Sequence, residues 1–260
     1  MPENVSVETK KIQSVSRALA ILEFLAAYRN GEKLTVISHE LGLHKSTTHS
    51  LISTLESAGY VQQDQTTAKY SLGLKLFELG QVVHDNMDLR NIAMPFLEEL
   101  AKEFSETVHL AVLSKGEVVY IDKVDTSHSI RIGSQIGGRN PAYCTGVGKV
   151  LLAGLEDKEL ADTLKNMKLE KFTAHTIVEK DLLRKHLKKV QQDGYAIDQE
   201  EIEDGLCCIA APIKNHSGQV IAGISISGPS SRMQTHIDGE LKNNLIDKAI
   251  QISRRLGFSS

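Results

Sequence analysis

The run QVIAGISIS, residues 219–227, carries polar chemistry where an apolar strand would not need it. On an extended chain alternate residues share a face. Gly223, Ser225 and Ser227 therefore point one way, while Ile224 and Ile226 point the other, toward a core. Hydroxyls on a buried strand require partners. The same parity puts Cys208 with Leu206 and Ala210, and Asp198 with Ala196, on single faces of the runs at 206–213 and 195–199. If these runs are neighbours, Asp198, Cys208, Ser225 and Ser227 line one small polar cup. The loop YCTGVGK, residues 143–149, enters a helix at Val147. A helix start presents free N–H groups that suit a carboxylate or phosphate. Together these parts describe a site for a small, anionic, oxygen-rich ligand. The competing expectation is structural: serines bonded to neighbouring backbone, and an Asp198 that only caps a turn beside the acidic run at 199–204.

A second stripe of short hydrogen-bonding groups lies in LTVISHELGLHKSTTHSLISTLESAGY, residues 34–60. It reads as two short helices joined by a turn at Gly42, with a stop at Gly59. Ile37 and Leu41 give the first helix an apolar face, and Leu51, Ile52, Leu55 and Ala58 give one to the second. Ser46, His49, Ser50 and Ser53 fall opposite. A helix of this kind can lie in the major groove of DNA. The candidates for base or phosphate contact are Ser46, Thr48, His49, Ser50 and Ser53, with Lys45, Arg17 and Lys69 as local cations that position the duplex. The plain alternative is a surface helix pair with a solvated face.

Catalytic patterns fail one by one. A nucleophile elbow needs G-x-S-x-G, and the run Gly223-Ile-Ser225-Ile-Ser227 has no closing glycine and no sharp turn. Gly148–Lys149 lacks the rest of a phosphate loop, and Gly146-x-Gly148 lacks the third glycine of a dinucleotide fingerprint. The ten histidines form no H-E-x-x-H. Cys207 and Cys208 are adjacent, so they point to opposite faces and do not share a metal. No catalytic residue, metal or cofactor is expected.

The elements that position these groups divide the chain. Residues 1–11 predict a loose arm without the apolar core of a signal peptide. A helical pattern with Val15, Ala18, Leu19, Leu22 and Leu25 precedes the helix pair. Its second apolar side, through Ile21, Phe24 and Tyr28, calls for a further partner such as a second copy of the chain. Short strands at 60–63 and 69–72 around a polar turn form a wing. A helix at 73–86 follows, then a longer one at 89–104 that Pro95 either starts or kinks. From residue 107 the period shifts to two, with hairpin signals at Lys115–Gly116 and at 215–218. An antiparallel sheet with helices packed on it is expected, an α+β class. The boundaries read as 1–11 arm, 12–72 winged helix-turn-helix, 73–87 linker helix and 88–260 ligand domain. With 260 residues, 41% hydrophobic, 24% charged and a net charge of −3, the chain suits a globular protein without indiscriminate affinity for nucleic acid. Its three cysteines do not form a disulfide framework. No apolar run reaches the length of a membrane span, so a cytoplasmic protein is expected.

Several blocks in order carry a resemblance: SVSRALAIL, LGLHKSTTHSLISTL, GYVQQDQTTAKYSLGLKLFELG, GRNPAYCTGVGKVLLA, GYAIDQEE, GLCCIAAPI and GISISGP. From Ser14 to Phe258 the chain resembles the IclR family of bacterial transcription regulators. The resemblance implies a winged helix-turn-helix, a linker helix and a GAF-like effector domain. It implies homodimers or tetramers on palindromic double-stranded operator DNA. It also implies an effector pocket at Gly146, Val147, Asp198, Cys208, Ser225 and Ser227, four of which strand parity reaches by itself. KYSLGLKLFELG, VVYIDKVD and QEEIEDGLCCIA resemble the repressors of pectin-breakdown genes that respond to 2-keto-3-deoxygluconate. The implied effector is then a keto acid or sugar acid, and the implied role is repression of a catabolic operon. Relatives often carry Arg where this chain has Ser50. The competing function is a small-molecule enzyme or sensor with a winged-helix module that binds protein.

Overall fold

The computed structural model describes residues 12–28, 30–85, 88–126, 128, 133–237 and 239–259. The arm expected at 1–11 lies outside them. The chain divides into two compact units, Met1–Asn86 and Met87–Ser260. Among the described residues no helix is long and apolar enough to cross a membrane.

The first unit contains α1 (Gln13–Ala26), β1 (Glu32–Lys33), α2 (Leu34–Glu40), α3 (Lys45–Ser57), β2 (Val61–Gln63), β3 (Lys69–Leu72) and α4 (Leu74–Asp85). Gly42 and Gly59 both have positive φ, which the turns between and after α2 and α3 require. The hairpin β2–β3 is joined by the two-residue strand β1, which the sequence pattern did not reveal, in the order β1-β3-β2. Asp64 closes the wing turn by accepting from the Thr66 and Thr67 amides at 2.8 Å each. Ile21, Leu25, Ile37, Ile52, Val61 and Tyr70 form the core. On α1 the core takes a residue from each expected apolar side, Leu25 from one and Ile21 from the other, while Val15 and Leu19 remain about half exposed within this unit.

The second unit opens with α5 (Asp88–Phe104). Pro95 sits inside this one continuous helix and does not start it. Then come β4 (Thr107–Ser114), β5 (Glu117–Val124), β6 (Arg139–Pro141), α6 (Gly146–Ala153), α7 (Asp157–Asn166) and α8 (Lys180–Asp193). The chain finishes with β7 (Ala196–Gln199), β8 (Leu206–Lys214), β9 (Val220–Pro229), α9 (Ser230–Ile237) and α10 (Glu240–Arg255). The strands form one antiparallel sheet in the order β6-β5-β4-β9-β8-β7. Lys115 and Gly116, both at positive φ, make the tight β4–β5 turn.

Both faces of this sheet are covered. Val108, Leu110, Cys207, Ile209, Ile224 and Ile226 pack on α5, α9 and α10. The opposite face packs on α6, with α8 behind it. The strand β9 is therefore central in order and buried on both sides, with every residue from Ala222 to Gly228 buried.

The helix α3 shows how burial divides one element. Thr48 and Ile52, four residues apart, are 0% and 1% exposed, while Ser46, His49, Ser50 and Ser53 are exposed. In thermal unfolding, Ile52→Ala should destabilise the first unit by ~2–5 kcal/mol. Ser53→Ala should stay within ~0.5 kcal/mol of wild type. Equal melting shifts for the two would contradict the division.

Candidate effector site and nucleic-acid interface

Register brings the cup together. Directly opposed residues of an antiparallel pair put their side chains on the same face. Asp198, Cys208, Ser227 and Thr107 thus form one row across β7, β8, β9 and β4. Ala196, Ala210, Ser225 and His109 form the next, and Pro212, Gly223 and Ala111 the third. The sequence pattern had put Asp198, Cys208, Ser225 and Ser227 on one surface. The β4 end of each row comes from strand order.

Gly146 and Val147, at the start of α6, sit directly above this surface. A Cβ on Gly146 would lie 3.2 Å from both the carbonyl oxygen and Sγ of Cys208, and 3.5 Å from the Asp198 nitrogen. A Cβ on Gly223 would lie 2.8 Å from Val147 Cγ2 and 3.2 Å from Val150 Cγ2. Two glycines, one on each side, therefore let helix and sheet approach at backbone distance. Thr145 caps the helix by accepting from the Gly148 amide at 3.2 Å. The Gly146 and Val147 amides, first in the helix, have no intrahelical acceptor.

The polar groups under the helix start are buried and incompletely paired. Ser225 Oγ, Thr107 Oγ1 and His109 Nδ1 have no hydrogen-bond partner among the described residues. All three side chains belong to residues at most 1% exposed. Asp198 is 1% exposed, and its Oδ1 accepts from the Glu201 amide at 2.8 Å. Burial pushes its carboxyl up to about 7, against the opposing pull of that amide and of the Lys149 cation. Cys208 is pushed up to about 11 by burial and by Asp198. It is therefore a neutral thiol near pH 7 and a poor nucleophile. The surface offers hydroxyls, a neutral thiol and a carboxyl near its midpoint beneath free amides. That set has the chemistry to hydrogen-bond the oxygen atoms of a small acid.

A second shell of contacts holds Asp198 in place, and sequence reasoning missed it. Lys149 is wholly buried. Its ammonium donates to the Ile197 carbonyl at 2.6 Å and pairs with the Glu201 carboxylate. The Thr173 and Thr176 hydroxyls donate to the Glu200 and Glu201 carbonyls, each at 2.6 Å. The signal was present in Gly148–Lys149, but a lysine in an apolar helix has no visible partner until residues 52 positions apart are brought together.

On the other unit, the exposed stripe of α3 contains four of the five expected contacts. Thr48 is the correction. It lies one turn before Ile52 on the inward side, and its hydroxyl donates to the His44 carbonyl at 3.2 Å, so it faces the core and not a duplex. The Ser50 hydroxyl donates to the Ser46 carbonyl at 3.0 Å. Lys45 is exposed at the first position of α3, while Arg17 on α1 and Lys69 on β3 are half-buried.

Comparison with known proteins adds independent support. The model for the IclR helix-turn-helix domain matches residues 14–65. The model for the bacterial transcriptional regulator IclR C-terminal region matches residues 81–254. The chain is 40% identical over 250 residues to the HTH-type transcriptional regulator XynR of Escherichia coli (strain K12), covering 95% of this chain and 98% of that protein. It is 39% identical over 251 residues to the HTH-type transcriptional regulator KdgR of Dickeya chrysanthemi, covering 96% and 82%. The crystal structure of an IclR homolog from Microbacterium hydrocarbonoxydans, complexed with 4-hydroxybenzoate, superposes with a TM-score of 0.81 at 25% identity, covering 94% of this chain and 98% of that one.

The Lys149–Glu201 pair generates a test. Lys149→Met leaves a buried carboxylate without its cation and should cost ~3–5 kcal/mol. Lys149→Met combined with Glu201→Gln should recover part of that loss. Chemical denaturation of the three proteins decides it, and a single variant as stable as wild type would remove the pair from the account.

Proposed function

The chain belongs to the IclR family of bacterial transcriptional regulators, and from that premise we propose that it represses a catabolic operon until a small carboxylate or sugar acid binds between α6 and the sheet. The winged helix-turn-helix binds DNA. In this reading α3 enters the major groove of a palindromic operator, with Ser46, His49, Ser50 and Ser53 toward the bases. Lys45, Arg17 and Lys69 serve the phosphates. The chain acts as a homodimer or tetramer, because two half-sites one helical turn apart need two such helices. The low formal charge, −3 over the chain, predicts weak sequence-independent binding and makes base contacts decisive.

The observation that carries the effector half is the Ser225 hydroxyl, buried on a central strand below the start of α6, with no nitrogen or oxygen partner among the described residues and only the Cys208 thiol beside it. A ligand carboxylate there takes the Gly146 and Val147 amides, with Ser225 and Ser227 donating to its remaining oxygens. Asp198, as a neutral acid, donates to the ligand; ionised, it accepts from a ligand hydroxyl. Relief of repression requires that the effector bind one arrangement of the DNA-binding units more tightly than another. The 4-hydroxybenzoate held by the Microbacterium homolog agrees with an organic acid as the effector class.

Three outcomes are expected. In electrophoretic titration against the DNA upstream of its own gene, His49→Ala should lose sequence preference, and Lys45→Ala should weaken binding to all sequences alike. Wild type with no sequence preference across a salt series would overturn the DNA reading. Ser225→Ala combined with Ser227→Ala should abolish release from that DNA by the acid that releases wild type, while operator binding persists. Effector affinity should also fall as pH rises through about 7, because Asp198 then becomes an anion beside the ligand carboxylate. Asp198→Asn should flatten that dependence in calorimetric titration.

A further inference from the structure

Two side chains on β4 complete the polar surface, and the readings above do not use them. Thr107 and His109 stand directly opposite Ser227 and Ser225. They are 0% and 1% exposed, and Thr107 Oγ1 and His109 Nδ1 lack a hydrogen-bond partner among the described residues. A buried polar group left unsatisfied destabilises the fold by its full desolvation cost. Both side chains stand beside the Ser225 hydroxyl, which also lacks a nitrogen or oxygen partner among the described residues. The imidazole is otherwise held firmly. Its Nε2 lies 2.7 Å from Ser134 Oγ, and its ring centre lies 4.9 Å from that of Tyr120.

Resting on the effector cup proposed above, we propose that Thr107 and His109 form a second pole of that cup, which reads a hydroxyl or carbonyl oxygen of the effector remote from its carboxylate. Distance sets the kind of molecule. The carboxylate pole lies over β8, where Gly146 meets Cys208. The strand β4 is two places away in the sheet, with β9 between. Adjacent strands are ~4.8 Å apart, so a ligand held at both poles spans on the order of 5–10 Å. A two- or three-carbon keto acid is too short, and a five- or six-carbon hydroxy acid is long enough.

Charge sets the chemistry of the second pole. Burial, and then the Lys123 cation, bring His109 down to about 4. The ring is therefore neutral near pH 7 and offers one N–H and one bare nitrogen. The Lys123 ammonium is already engaged by Asp125 at 2.9 Å and by the Ser134 carbonyl at 2.7 Å. Among the described residues, the charges that act on the imidazole are Lys123 and Asp125, which pair with each other and leave no unengaged cation for a second carboxylate. A hydroxyl, which both donates and accepts, matches an imidazole nitrogen and a threonine hydroxyl. The effector class is a polyhydroxylated chain with a single carboxylate.

Calorimetric titration of the full-length protein with D-gluconate, D-ribonate, 2-keto-3-deoxygluconate, pyruvate and adipate tests this. One of the three hydroxy acids should bind at least about tenfold more tightly than pyruvate or adipate. Thr107→Val and His109→Phe keep shape and remove the polar atoms. Each should weaken that hydroxy acid by about tenfold, as for one lost hydrogen bond, and leave pyruvate unchanged. If both variants bind it like wild type while Ser225→Ala weakens it, the second pole is wrong and the cup stands. If Ser225→Ala also has no effect, the cup falls and the second pole with it. Wild type that binds none of the five, or prefers pyruvate or adipate, overturns the proposal too. Circular dichroism identifies a variant that fails to fold, and the other variant then decides.

Discussion

A strand buried on both faces is normally apolar on both, and β9 is not. One of its faces is isoleucine and the other is Gly223, Ser225 and Ser227. Inside a protein, hydroxyls are stable only when bonded. The rest of the second unit is arranged around that constraint. The isoleucine face is closed by α5, α9 and α10, which secures the sheet. The serine face is closed by α6, which packs Val147 and Val150 over Gly223 and sets its first amides above the serines. Among the described residues of this domain, three of the buried polar atoms without a partner, on Thr107, His109 and Ser225, lie together on this face.

The closeness of α6 depends on residues with no functional groups. Gly146 and Gly223 permit the approach from above and below. Gly148 permits the turn before the helix, since a Cβ there would lie 2.2 Å from the Ala142 carbonyl oxygen. Behind the surface, Lys149 ties α6 to the segment after β7 through Ile197 and Glu201. Asp198 thus stands between two supports, the Glu201 amide and the neighbouring strand β8. A carboxyl fixed this way responds to its surroundings by changing protonation, because it has little freedom to move.

The first unit follows a different logic. Its function needs exposure, and α3 divides cleanly into an inward side of Thr48 and Ile52 and an outward stripe of serines and His49. The side chains of the stripe are short, and Ser50 and Thr54 donate to carbonyls one turn back. With little local positive charge, such a surface depends on fit more than on attraction. That suits a regulator whose hold on DNA must be reversible by a small molecule.

Periodicity carried much of this. The two helices and their turn at Gly42, the wing, the parity of 223–227 and the adjacent, opposed Cys207 and Cys208 are all local properties, so a single chain displays them. Thr48 was misread because a threonine among serines looks polar, whereas its methyl and its i−4 hydrogen bond let it face inward beside Ile52. β1, β6 and α9 are too short or too irregular to carry a period. What the residues alone determined was which side chains share a face within each element. Tertiary structure decided which elements are neighbours. It set β4 against β9 across more than a hundred residues, brought Thr107 and His109 to Ser227 and Ser225, and gave Lys149 its partner. Side-chain parity is a short-range consequence of backbone geometry. Strand order is settled by how the whole chain buries its apolar faces, and no local window contains that information.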